Sequence, residues 1–182
     1  MERNELITRL VDGIYNAITL EIPRGRLIKG STLAGTGIAV DLVSTKDNIR
    51  AMISNALLLP DGPTKQFRAR GQCLIDWSLK VLGDILASLF EEQKSTRERI
   101  ERMVVRGEND SVPRNLLRHL LWEEKVAAKA IDARKREFDE LLTTAKELGF
   151  EVLERDENRF RLYLALEISY AETFRDLELR SY

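Results

Sequence analysis

Residues 64–149 can run almost without interruption as helix, and the only break is Gly107-Glu108-Asn109-Asp110-Ser111-Val112-Pro113. Two helices of that length must find something to lie against, because helical stability in water comes from packing an apolar face and not from propensity alone. In the first helix Phe67, Leu74, Trp77, Val81, Leu82, Ile85, Leu86, Leu89 and Phe90 form a stripe wide enough to face a core. From Glu91 to Arg102 the only large apolar residue is Ile100. That shift predicts that 91–128 leaves the body as a projecting, charged arm. Ser111 is placed to cap the return helix, Pro113 to sit in its first turn and Gly149 to close it. Between them Leu117, Leu120, Leu121, Ala127, Ala128, Ile131, Phe138, Leu141, Leu142, Ala145 and Leu148 recur at three-four spacing. An antiparallel, coiled-coil-like hairpin over 64–149 is the simplest fold for this pattern, and pairing of the same stripe between chains is its rival.

The flanks are mixed. Leu6, Ile7, Leu10, Val11, Ile14, Ala17 and Ile18 predict a helix over 4–21, ended by Pro23. Residues 24–37 are glycine-rich and aperiodic. Their segment Gly25 to Thr32 has the glycine spacing of a phosphate-binding loop, but it lacks the lysine after the second glycine and follows a helix, so it predicts an ordinary loop. Ile38 to Val43, β-branched and bounded by Gly37 and Ser44, predicts a strand. A short helix follows, with Thr45 as cap, Ile49, Met52, Ile53, Ala56 and Leu57 inward, and Pro60-Asp61-Gly62-Pro63 as its stop. Beyond Gly149 the period changes to two: Phe150 to Arg155, a turn at Asp156-Glu157-Asn158, then Phe160, Leu162, Leu164, Leu166 and Ile168 alternating with polar residues. The expectation is therefore an α+β, mostly helical single domain over 1–182, in which the long hairpin carries a small β-sheet from the C-terminal hairpin and the N-terminal strand.

Composition narrows the chemistry. The chain has 182 residues, 43% apolar and 32% charged, with a net charge of −1. A near-neutral total gives no overall attraction for nucleic acid or an anionic membrane. One cysteine, Cys73, excludes an internal disulfide, and with His119 as the sole histidine a structural zinc site lacks ligands. No cofactor or metal is expected. No apolar run reaches membrane-spanning length and the N-terminal residues are amphipathic, so the expected location is the cytoplasm.

Adjacent carboxylates such as Glu91-Glu92 and Glu123-Glu124 diverge around a helix and are expected on solvated faces, while Trp77 and Trp122 are expected to pack across the hairpin. The remaining motif is Arg114-Asn115-Leu116-Leu117-Arg118-His119. It resembles the signature of the HEPN family of small helical ribonucleases and toxins: an arginine, a polar residue, then a histidine on one helical face. The resemblance implies a metal-free ribonuclease working as a dimer, with His119 as general acid or base, Arg114 stabilising the phosphorane charge and Asn115 orienting them. The residues themselves favour no catalytic set. The function expected from the architecture is non-enzymatic: an assembly, adaptor or scaffold protein whose helical hairpin or sheet edge contacts another protein, including a second copy of itself.

Overall fold

The computed structural model describes residues 1–22, 46–58, 64–107, 114–163 and 165. All regular structure among them is helical, with no strand or sheet, so the α+β expectation is corrected to an all-helical fold. The elements are α1 (Arg3–Glu21), α2 (Lys46–Leu58), α3 (Thr64–Gly107) and α4 (Arg114–Glu147), followed by α5 (154–163). The 24–37 loop, the 38–43 strand and the Ser111 cap lie outside the described residues.

The chain clusters into two compact units, and α3 and α4 contribute to both. The first contains Met1–Gly83 and Glu137–Glu157. Leu10, Ile14 and Ile18 of α1, Ile49 and Ile53 of α2, Leu74, Ile75, Leu79 and Leu82 of α3, and Phe138 of α4 are among its sealed side chains. The helices approach closely where side chains are smallest: a Cβ at Gly71 would lie 3.0 Å from the Cβ of Ala56 and 3.5 Å from the Phe150 ring. Only hydrogen fits there without displacing a neighbour.

α4 ends in a Schellman motif. The Phe150 amide donates to the Ala145 carbonyl at 3.0 Å, the Gly149 amide donates to that of Lys146 at 3.0 Å, and Gly149 takes a φ of 86°. The chain then runs non-helically through Leu153, held by a two-way amide clasp. Gln72 Nε2 donates to the Glu151 carbonyl at 2.6 Å and the Glu151 amide donates to Gln72 Oε1 at 3.0 Å. A glutamine side chain thus meets backbone needs that a partner strand would otherwise meet.

The second unit contains Asp84–Arg136 and the described residues from Asn158 onward. Within it α3 and α4 run antiparallel, with Ile100 packed on Leu120 and Met103, Leu117 and Leu121 around them. Tyr163 of α5 stacks on Phe90 at 5.1 Å between ring centroids, and the Lys135 ammonium sits 5.7 Å over the same ring. Arg159 of α5 bonds Asp84 at 3.0 Å. Burial works against its charge, yet the bonds to Asp84 and Tyr163 outweigh it and raise its pKa.

The C-terminal β-hairpin is overturned by the burial pattern of α5. Alternation would bury Leu162 and expose Tyr163, whereas Leu162 is 57% exposed and Tyr163 only 7%. Asp156, Phe160 and Tyr163 share the inward face, which is the helical interval. The expected turn at 156–158 instead lies within the first two turns of α5, where Glu154, Asp156 and Glu157 complement the positive end of the helix. Gly149 and the short run of alternating residues made a strand and a short helix equally readable, and the stacking partner of Tyr163 lies some seventy residues away in sequence, as the Phe90 contact shows.

Candidate functional site

α4 has two unlike faces within the second unit. Its inner face carries Leu120, Glu124, Ile131 and Lys135, all buried. Glu124 Oε1 accepts from Gln93 Nε2 and from Arg97 Nη2, both at 2.9 Å, and all three side chains are shielded from solvent. A charge-assisted bond in this setting is short and strong, and it fixes which turn of α3 lies beside which turn of α4. Glu124 was expected on a solvated face; its spacing from Leu120 and Ile131 places it in the buried stripe. The four-residue step from Leu120 carries Glu124 inward even though a lone carboxylate ordinarily faces water. Likewise, 91–102 does not present only a solvated face, since Gln93, Arg97 and Ile100 line one inward row.

The outer face is where the motif residues fall. At about 100° per residue, Asn115 and His119 share it, and both are exposed. Arg114 is the first residue of α4, and its side chain lies outside the described residues. His119 Nε2 lies 3.0 Å from Glu123 Oε1, and its ring stacks on Trp122 with centroids 6.1 Å apart and planes 20° apart. Trp122 was expected inside the hairpin, but it is 60% exposed. Val126, one turn on, is also exposed, so an aromatic and aliphatic pair stands on a helix surface flanked by charge, while exposed Leu116 lies about 120° around the helix from Trp122.

The outer face of α3 offers a contrast. Glu91, Glu92, Lys94, Glu98 and Arg99 are exposed there, with no large apolar residue among them. Among the described residues, the apolar exposure of the second unit's two long helices is therefore concentrated on α4.

In the first unit a surface groove of about 220 Å³ lies between α1 and α4, lined by Arg9, Asp12, Gly13, Asn16, Glu137 and Glu140. Arg9 reaches Glu140 across it at 4.0 Å. Mixed charges and an open mouth give it no positioned nucleophile or acid-base pair. Among the described residues no group of His, Cys, Asp or Glu could hold a metal ion, and no helix is long and apolar enough to cross a membrane. No protein-family model, curated protein or solved structure matches the chain.

Proposed function

We propose that the protein works by binding another protein, as an assembly, adaptor or scaffold component, and that the outer face of α4 is its contact surface. The supporting observation is the exposed pair Trp122 and Val126, one turn apart on a helix whose inner face is already packed against α3. Exposed tryptophan is costly to leave in water and is enriched among residues that carry binding energy. Photo-crosslinking tests the reading. With a benzoylphenylalanine at Val126, a discrete crosslinked species is expected in cells, and the same probe at Glu98 on α3 should give none. Absence of a product at Val126 would contradict the proposal.

A second reading is a metal-free HEPN-like ribonuclease using Arg114, Asn115 and His119. It is supported by Asn115 and His119 sharing one exposed face of α4. Its test is purified protein incubated with mixed RNA in chelator. Cleavage that disappears in both His119→Ala and Arg114→Ala, by about a hundredfold or more, would replace the binding reading; intact RNA would remove this one.

A further inference from the structure

The outer face of α4 has one chemistry along its crest and another along one flank. Asn115, His119, Trp122 and Val126 are spaced four, three and four residues apart and all are exposed. That is the heptad spacing through which one helix seats a second. On one flank stand Arg118, Lys125, Lys129 and Arg136, all exposed, with Asp132 the one exposed carboxylate in the row. Arg118 and Lys129 have no carboxylate partner among the described residues. The opposite flank carries Glu123, which is engaged with His119. A near-neutral chain therefore presents a basic edge along its only exposed apolar seam among the described residues of α3 and α4.

We infer that this face docks an amphipathic helix of a different protein, one that carries acidic residues beside its apolar stripe. The inference rests on the binding reading above and supplies the partner's chemistry. Apolar residues of the incoming helix would cover Trp122 and Val126, and its carboxylates would meet Arg118 and Lys129 at the rim, where charge sets specificity and approach more than raw affinity. A second copy of this chain fits less well. Antiparallel pairing through the same crest sets each basic flank against its own copy, and like charges facing across an interface are repulsive. A single strand of nucleic acid would find a stacking platform at Trp122 and phosphate partners in Arg118 and Lys129, but the next crest position, Val126, is aliphatic and gives a second base no ring to stack on.

The test titrates the full chain with synthetic helical peptides of about three heptads, with leucine at the apolar positions and glutamate at the flanks in one, lysine at the flanks in its twin. Circular dichroism first confirms that each variant is folded. The glutamate peptide is expected to bind at least about tenfold tighter than the lysine peptide, with an advantage that shrinks as salt rises. Trp122→Ala should weaken it by at least about 30-fold. The pair Arg118→Glu and Lys129→Glu should reverse the preference between the two peptides. Equal binding of both peptides, no binding of either, tighter binding of single-stranded RNA, or a concentration-dependent dimer that Trp122→Ala abolishes would each overturn the inference. A Val126 crosslink that persists when the glutamate peptide fails to bind would sink the acidic-helix partner while leaving the binding reading intact; loss of both would remove the two together.

Discussion

Glu124 holds two donors on one oxygen inside the second unit, and that makes it the residue whose loss should be felt most sharply. Glu124→Ala leaves the Arg97 guanidinium buried without its carboxylate, at a cost of about 3–5 kcal/mol. The double variant Arg97→Met, Glu124→Leu replaces the pair with apolar volume and should recover most of that loss. Urea denaturation of both reads the difference, and equal destabilisation of the two would show that packing and not charge burial sets the cost. Asp76 tests the opposite situation. Burial pushes its carboxyl above the ordinary 3.8, against the hydrogen bond from Gln72 and the nearby Arg155 and with Glu151 adding to the rise. Its folded pKa therefore exceeds the unfolded one, so ionised Asp76 weakens the fold at neutral pH, and that weakening fades as pH falls through the raised value toward 3.8. Asp76→Asn, which still accepts from Gln72, should be at least as stable as the parent at pH 7, with an advantage that closes on acidification. An advantage that widens toward acid would contradict this.

At the scale of elements, α1 and α2 were legible because each shows a single clean stripe with sharp ends. Leu10, Ile14 and Ile18, then Ile49 and Ile53, are the same residues that the period selects and the core seals. The end of α4 was legible because Gly149 is one of the few residues that takes a positive φ without strain, and Gly149→Ala should cost about 1–2 kcal/mol. α5 was not legible. Ten residues give fewer than three turns, too few for periods of two and 3.6 to separate. Leu162→Glu and Tyr163→Ala separate the two structures directly. In a helix that buries Tyr163 against Phe90, the first should be neutral within about 0.5 kcal/mol and the second should cost about 2–4 kcal/mol, measured by thermal unfolding. A hairpin would give the reverse order.

For the whole molecule, the balance of charge hid its distribution. A net of −1 removes any general pull on polyanions, yet Arg118, Lys125 and Lys129 gather along one edge of α4. The motif at 114–119 was readable as residues, but the exposure of Trp122 beside it was not, because tryptophan at helical spacing is ordinarily core. What exposes it is the offset between two stripes on one helix: the inner one, through Leu120 and Glu124, is taken by α3, and the outer one, through His119 and Trp122, is left to solvent. An inward substitution such as Leu86→Asp should therefore cost at least about 3 kcal/mol, since it places a carboxylate among sealed side chains. An outward one should leave stability alone and act on binding.

That division is tested most directly by Trp122→Ala carried on the chain with the photo-crosslinker at Val126, measured for both thermal unfolding and crosslink yield. The expected result is a melting transition unchanged within about 0.5 kcal/mol together with loss of the crosslinked species. A lowered melting temperature would show that Trp122 supports the fold, and a crosslink of undiminished yield would show that the exposed face of α4 is not the surface through which this protein binds.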